Sequence, residues 1–203
     1  MIYLLRHGET IGNSEGRYQG RFESPLSEKG LAQARSVAAR LAAMAAADPG
    51  DWVIETSPLG RARQTAAIVA EAMGLPEPIV EARLIEADYG ELEGLTGAEV
   101  DARWPHLAGY RGVFGHAPGG EGLAALDARA AAWLAERADD PRRIVAVSHA
   151  SIGRAIRGAY LGAAFEDYRL FETPQDAFHR LHGGVVERID CVSAALARAE
   201  SRR

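Results

Sequence analysis

The chain has 203 residues, of which 47% are hydrophobic, and a formal net charge of -5 at pH 7. This length and apolar content predict a single domain over 1–203 with a sizeable core. The negative charge excludes a general nucleic-acid binder, because such a protein needs a basic surface to displace counterions from phosphates. Cys191 is the single cysteine, so no intrachain disulfide can form and a reducing compartment is expected.

The amino-terminal sequence lacks the features of a secretory signal. It runs Met-Ile-Tyr-Leu-Leu and then reaches Arg6 and His7, so it has no charged n-region and too short an apolar run. No continuous apolar stretch of the sequence is long enough to cross a bilayer. These features predict a cytoplasmic protein with neither a membrane nor a nucleic acid as its partner.

Apolar runs alternate with helical periodicity along the chain. Three short runs predict parallel strands: Ile2 to Leu5, Trp52 to Ile54, and Ile144 to Val147. After each run, apolar residues recur at three- and four-residue steps, which is the period of a helix packed on one face. These positions are Leu31, Ala34, Val37, Ala38, Leu41 and Ala45, then Ala62, Ala66, Val69 and Met73, then Ile152, Ala155, Ile156 and Ala159.

Two more helices are predicted between the second and third runs. One begins at the capping-box pair Thr96 and Glu99, and the other runs from Leu123 to about Ala138. Alternating strands and helices predict an α/β fold, a three-layer sandwich with a mostly parallel central sheet and helices on both faces. Near the carboxyl end, Ala177 to Leu181 and Val185 to Ile189 flank a glycine pair and predict a hairpin or two edge strands.

The residues that follow the three predicted strands point to an anion site. Arg6 and His7 follow the first strand, Arg61 lies just beyond the second, and His149 follows the third. Because the carboxyl ends of parallel strands meet at one edge of a sheet, these four side chains are expected to converge there. Guanidinium groups and helix N-termini match phosphate oxygens. A neutral imidazole is also a competent nucleophile toward phosphorus, and nearby arginines disfavour its protonation.

These residues belong to sequence blocks that resemble a known family. In chain order the blocks are Leu5 to Thr10 with Asn13 and Pro25 to Gly30, then Ser57 to Ala66, then Leu84 to Glu86 with Tyr89-Gly90 and Glu93-Gly94, then Gly120-Glu121 with Val147 to His149. Their order and composition resemble the histidine phosphatase superfamily, in its phosphoglycerate-mutase-like branch (branch 1), over most of the chain. The resemblance implies a phosphoglycerate-mutase-like fold.

The resemblance also implies catalytic roles. His7 would be the nucleophile that becomes phosphorylated, and Arg6, Arg61 and His149 would surround the phosphoryl oxygens. Glu86 would donate a proton to the leaving oxygen and later activate water. Repulsion between a carboxylate and a phosphate dianion favours the protonated carboxyl that a general acid requires.

A second group of residues is expected to bind substrate. Asn13 would lie at the rim of the site, and Gly8 and Ala150 directly follow the two histidines. Arg17 and Gln19 either reach the substrate or belong to a solvated loop. In-line phosphoryl transfer needs mainly positioning and charge neutralisation, so no cofactor is expected. The histidines and the cysteine have no metal-ligand spacing, which predicts that there is no metal site.

Three functions fit this pattern. A hydrolase would let water attack the phosphohistidine, a mutase would return the phosphoryl group to the substrate, and a scaffold would only bind a phosphorylated ligand. A mutase of this family has a paired-arginine motif between the residues that match Glu86 and His149, whereas this chain has Arg103 and Arg111 singly. Hydrolysis of a small phosphorylated molecule is therefore favoured, and the family resemblance leaves a homodimer possible.

The expected lip of the pocket departs from the family pattern. Where many relatives have Asn-Cys-Ser or Asn-Thr-Ser, this chain reads Pro174-Gln175-Asp176-Ala177-Phe178. Aromatic side chains are available to line an amphipathic pocket, although some of them must belong to the core. They are Tyr18, Phe22, Tyr89, Trp104, Tyr110 and Phe114. The sequence therefore leaves the identity of the phosphorylated substrate open.

Overall fold

The structure is a computed structural model that describes residues 1–108 and 115–191. In this part of the chain, six strands form one sheet in the order β3-β2-β4-β1-β5-β6. The strands are β1 (Ile2–Arg6), β2 (Trp52–Thr56), β3 (Ile79–Val80), β4 (Arg143–Ser148), β5 (Ala177–His182) and β6 (Val185–Asp190). The first four in chain order run parallel, and β5 and β6 add two antiparallel strands at one edge.

Helices cover both faces of this sheet. They are α1 (Ile11–Ser14), α2 (Glu28–Ala47), α3 (Gly60–Met73), α4 (Gly97–Arg103), α5 (Leu123–Ala135), α6 (Ala150–Leu161) and α7 (Phe165–Tyr168). Alternate residues of β1 enter two separate cores, as the two-residue period of a strand requires. Tyr3 and Leu5 pack against α2 and α3, whereas Ile2 and Leu4 pack against α5, α6 and α7. The predicted three-layer α/β architecture is confirmed.

The predicted elements agree with the structure at their centres and differ at their ends. The three parallel strands, the carboxyl-terminal hairpin and the capping box of α4 are all present. The α5 helix ends at Ala135 rather than near Ala138, because the next amides bond three residues back and tighten the chain into turns. In the described ranges, no helix has both the length and the hydropathy for crossing a bilayer.

A close backbone approach joins the end of β1 to the start of α2. A Cβ atom at Gly8 would clash with the carbonyl of Gly30, and a Cβ atom at Gly30 would clash with the carbonyl of Glu9. Glycine is required at both positions because the two segments touch through their main chains. This contact fixes the direction in which the chain leaves the first strand.

A buried ionic network ties β2 to the far end of α5. Glu55 of β2 accepts a hydrogen bond from the indole of Trp133 at 2.8 Å and pairs with Arg137 at 3.0 Å. Arg137 also pairs with Glu81 at 2.8 Å. The side chains of Glu55 and Arg137 are only 8% and 9% exposed. Loss of one charge therefore leaves the other buried without this partner, which is costly.

We expect Glu55→Gln to lower the free energy of unfolding by about 3 kcal/mol, since it leaves the buried Arg137 charge partly uncompensated. The matched control is Asp48→Asn, which removes an ion pair to Arg143 whose acidic side chain is 62% exposed. That change should cost less than about 1 kcal/mol. Chemical denaturation of both variants measures the difference, and equal losses would contradict the assigned role of Glu55.

Candidate functional site

The register of the sheet brings His7, Ser57 and His149 to one edge. The amide of His7 donates to the carbonyl of Ser148 at 3.0 Å, and the amide of Ser57 donates to the carbonyl of Val147 at 3.0 Å. The first two strands therefore end level with β4. The imidazole rings of His7 and His149 lie 5.0 Å apart, centroid to centroid, as the parallel-strand argument predicts.

The hydrogen bonds of His7 determine its tautomer. Its Nδ1 lies 2.7 Å from the carbonyl oxygen of Gly8, which can only accept, so Nδ1 carries the proton. Its Nε2 accepts a hydrogen bond from Nε of Arg61 at 3.2 Å. The ring is 3% exposed. The lone pair of the ring is thus on Nε2, where Arg61 covers it.

Both histidines are held in the neutral form. Burial lowers the pKa of His7 well below 6.5, and the charges of Arg6 and Arg61 lower this pKa further. Burial also lowers the pKa of His149, with smaller contributions from His7 and Arg61. A neutral imidazole retains its lone pair at neutral pH, which an attack on phosphorus requires.

His149 is positioned by the end of the second strand. Its Nε2 lies 2.7 Å from the hydroxyl of Ser57, and its Nδ1 is buried without a hydrogen-bond partner among the described residues. A buried polar atom without a partner is costly, and a bound ligand can supply the missing interaction. The sequence blocks included Ser57, but its contact to His149 required the pairing of β2 with β4.

The two arginines are held by neutral groups. Arg61 is 2% exposed and donates to the carbonyls of Phe22 at 2.9 Å and Gly20 at 2.6 Å. Arg6 donates to the carbonyl of Thr173 at 2.9 Å, and its Nε is buried without a partner among the described residues. Among the described residues, neither the guanidinium of Arg6 nor that of Arg61 has an ion-pair partner. Their positive charges are therefore available to an anion.

The side chain of Glu86 contacts the N-terminus of α6. Its carboxylate accepts hydrogen bonds from the amides of Ser151 at 3.0 Å, Ile152 at 3.1 Å and Ala87 at 2.9 Å. The side chain is 5% exposed, and the hydroxyl of Tyr89 lies 2.7 Å from that of Ser151. These contacts hold the carboxyl group in one orientation beside the two arginines.

A cavity of about 140 Å³ joins these groups. Most of the residues predicted from the sequence line it. The lining comprises Arg6, His7, Asn13, Arg17, Tyr18, Gln19, Gly20, Arg61, Glu86, Tyr89 and Ala150. Gly8 and His149 lie behind this lining: the amide of Gly8 donates to the hydroxyl of Thr65 at 3.3 Å, and the ring of His149 lies beside that of His7, tilted by 59°.

The residues at the rim differ in how firmly they are held. Arg17 pairs with Glu15 at 2.6 Å and donates to the carbonyl of Gly94 at 2.8 Å. The amide nitrogen of Gln19 bonds to the hydroxyl of Thr10, while its Oε1 is buried without a partner within the described ranges. Gln19 is thus a buried side chain with a spare acceptor, rather than part of a solvated loop.

The aromatic residues and single arginines named in the sequence analysis differ in where the structure places them. Tyr18 and Tyr89 line the cavity, whereas Phe22 is half exposed and Trp104 packs with a separate apolar cluster. Arg103 is exposed at the end of α4. Tyr110, Arg111 and Phe114 lie outside the described residues. Gln175, which sequence reasoning did not single out, donates to the carbonyl of His7 at 3.2 Å.

A larger cavity lies at the opposite edge of the sheet. It measures about 450 Å³ and is bordered by Met1, Ile2 and the ends of α5 and α6. Its lining is mostly aliphatic, and its one arginine, Arg137, is paired with Glu55. Convergent cations and histidines make the smaller cavity the better candidate for chemistry. Over residues 1–108 and 115–191, no group of three or more acidic, histidine or cysteine side chains is suited to hold a metal ion.

Lowering the pH from about 7 to about 5 is expected to reduce the free energy of unfolding. The unfolded chain protonates His7 and His149 near pH 6.5, whereas the folded chain keeps both rings neutral, so acid favours unfolding. Each histidine contributes up to about 1.4 kcal/mol per pH unit below that value. Denaturant titrations at the two pH values measure this change. Ring-nitrogen chemical shifts that report protonated His7 and His149 in the folded protein at the lower pH would contradict it.

Comparison with known proteins identifies a family for this chain. Residues 2–184 match the model of the histidine phosphatase superfamily (branch 1). The probable phosphoglycerate mutase GpmB of Enterobacter sp. (strain 638) is 36% identical over 198 residues, which cover 93% of this chain and 84% of that protein. The protein of the same name in Escherichia coli (strain K12 / DH10B) is 40% identical over 155 residues, or 73% of this chain and 68% of that one.

Solved structures share the fold. A mycobacterial glucosyl-3-phosphoglycerate phosphatase in complex with VO3 is 29% identical with a TM-score of 0.74, and the match covers 95% of this chain and 98% of that one. An alpha-ribazole phosphatase from Shigella flexneri has a TM-score of 0.72 over 94% of this chain and 95% of its own, at 22% identity, and shows likeness of fold alone. The family model spans the described residues that line the cavity, and also His149 behind them. The chain belongs to the histidine phosphatase superfamily, branch 1.

Proposed function

We propose that this chain is a metal-independent phosphomonoesterase that hydrolyses small phosphorylated metabolites through a phosphohistidine on His7. One observation carries the proposal: the neutral, buried ring of His7 has its lone pair on Nε2, beside two guanidinium groups that have no ion-pair partner among the described residues. The cavity that these groups line holds a nucleophile and uncompensated positive charge together. This combination suits in-line transfer of a phosphoryl dianion.

In the first step, Nε2 of His7 attacks phosphorus and the bond from phosphorus to the leaving oxygen breaks. Glu86 donates its proton to that oxygen, so the product leaves as a neutral alcohol. Arg61, which donates to Nε2 of His7, turns its N–H groups to the phosphoryl oxygens, and Arg6 neutralises charge beside it. The hydrogen bond from Nδ1 to the carbonyl of Gly8 supports the positive charge that the phosphorylated ring acquires.

In the second step, water attacks the phosphorus of the phosphohistidine. The Glu86 carboxylate accepts a proton from this water, the phosphorus–nitrogen bond breaks, and its electron pair returns to Nε2. Inorganic phosphate then leaves, with His7 and the protonated Glu86 ready for another cycle. One carboxyl group serves both steps because the proton it gives in the first is regained in the second.

Phosphoglycerate mutase activity is the second candidate, favoured by the names of the relatives. A mutase must also bind a carboxylate and a second phosphate, which needs further cations. Of the described cavity residues, Arg17 is the additional cation, and it is already paired with Glu15. Arg103 lies over the ring of Trp104 at 5.7 Å and does not line the cavity. These contacts support hydrolysis, as does the phosphatase among the similar structures.

We expect His7→Ala to abolish phosphate release from small phosphomonoesters and to prevent labelling of the protein as acid-labile phosphohistidine, because none of the other described residues that line the cavity is a histidine. The control is His106→Ala, at an exposed position, which should retain full activity. Phosphate release and phosphoglycerate isomerisation are assayed in parallel. Isomerisation faster than release would favour the mutase, and turnover by His7→Ala would end the covalent mechanism.

We expect Glu86→Gln to slow turnover by about two to four orders of magnitude for an alkyl phosphate and by much less for a nitrophenyl phosphate. The aryl oxygen leaves readily without a proton, whereas the alkyl oxygen does not. Values of kcat/KM for the two substrates measure the difference. An equal loss on both would mean that Glu86 does not protonate the leaving group.

A further inference from the structure

The segment between α7 and β5 is held by arginines. Three successive carbonyls, those of residues 171, 172 and 173, each accept a hydrogen bond from a different guanidinium. The pairs are Arg154 to Phe171 at 2.7 Å, Arg157 to Glu172 at 2.6 Å and Arg6 to Thr173 at 2.9 Å. Because Arg157 is 5% exposed, part of this support is inside the protein. The main chain of residues 171–173 is therefore held in place, and Gln175 follows it after Pro174.

Gln175 reaches from this segment to the end of the first strand. Its Nε2 donates to the carbonyl of His7 at 3.2 Å and to Oδ1 of Asn13 at 3.1 Å. The same Oδ1 accepts a hydrogen bond from the amide of Thr10 at 3.2 Å. A carboxamide oxygen has two lone pairs, so these two donors occupy both.

These contacts determine the orientation of the Asn13 amide. With Oδ1 occupied, the Nδ2 group with its two N–H donors is the part of the amide that remains for a ligand. Asn13 lines the cavity, and within the described ranges no protein acceptor bonds to its Nδ2. In the opposite orientation, two donors would face the amide nitrogen, so a rotated amide would cost about two hydrogen bonds.

We propose that Gln175 is a positioning residue, which orients Asn13 so that its Nδ2 donates to a phosphoryl oxygen. The inference rests on the proposed function for the identity of the anion. Gln175 acts through Asn13 and does not itself line the cavity. Donation to two acceptors requires the amide nitrogen, so glutamate of the same shape cannot replace it.

The experiment is a double-mutant cycle between positions 175 and 13, with the affinity for inorganic phosphate measured by calorimetry separately from kcat and KM. We expect Gln175→Glu and Gln175→Leu each to weaken phosphate binding and to raise KM by about tenfold, the scale of one lost hydrogen bond to a charged group. The double variant Gln175→Leu with Asn13→Ala should be no worse than Asn13→Ala alone, because the effect passes through Asn13.

Two controls separate positioning from a merely structural role. Asp176→Asn changes the exposed neighbour of Gln175 and should leave phosphate affinity and turnover unchanged. Thermal unfolding of each variant identifies any loss of fold, and the near-isosteric glutamate variant avoids a cavity. Wild-type affinity in Gln175→Glu, or additive losses in the cycle, would overturn the proposal. Phosphate affinity is measured without turnover. A protein that binds phosphate but does not hydrolyse phosphomonoesters would therefore contradict the proposed function and leave the role of Gln175 testable.

Discussion

The guanidinium of Arg61 is held by three groups that carry no net charge: the carbonyls of Gly20 and Phe22 and the ring nitrogen of His7. Neutral acceptors satisfy its N–H groups but leave its positive charge in place. Burial lowers the pKa of His7, and the charges of Arg6 and Arg61 lower it further, which preserves the lone pair that the Arg61 guanidinium also covers. In the proposed mechanism, a phosphoryl group that enters the cavity supplies the missing negative charge and draws Arg61 away from Nε2 of His7. The proposal therefore makes phosphate binding and exposure of this lone pair depend on the same contact between Arg61 and His7.

The acidic side chains around this contact are occupied by backbone amides. Glu23 accepts from the amide of Gly60 at 3.0 Å, and Glu93 accepts from the amide of Arg21 at 2.7 Å. Glu86 accepts from the first amides of α6. Burial lowers the pKa of Arg61, and the fields of these carboxylates partly oppose that shift without forming ion pairs with it. The loops direct these carboxylates to backbone amides. The positive charges of Arg6 and Arg61 therefore have no ion-pair partner among the described residues, although the net charge of the chain is negative.

Elements with a clear period were predictable, and short elements were not. The β1 and β4 strands and the helices α2, α3 and α6 follow from local apolar patterns. The α1 helix has four residues, too few for a period, and it depends on the capping box of Thr10 and on a hydrogen bond from the amide of Ile11 to the carbonyl of Pro25. The β3 strand has two exposed residues, Ile79 and Val80, and exists through its pairing with β2.

The sequence by itself determined which chemical groups stand at the strand ends: two histidines and two arginines follow apolar runs, and parallel strands must present them at one edge. Only the tertiary structure decided how those groups are connected. The lone pair on Nε2 of His7 is covered by Arg61, 54 residues away, and the orientation of Asn13 depends on Gln175, 162 residues away. No local sequence pattern predicts such contacts. A hydrogen bond depends on atomic positions to within a few tenths of an ångström, and only the fold brings these segments together.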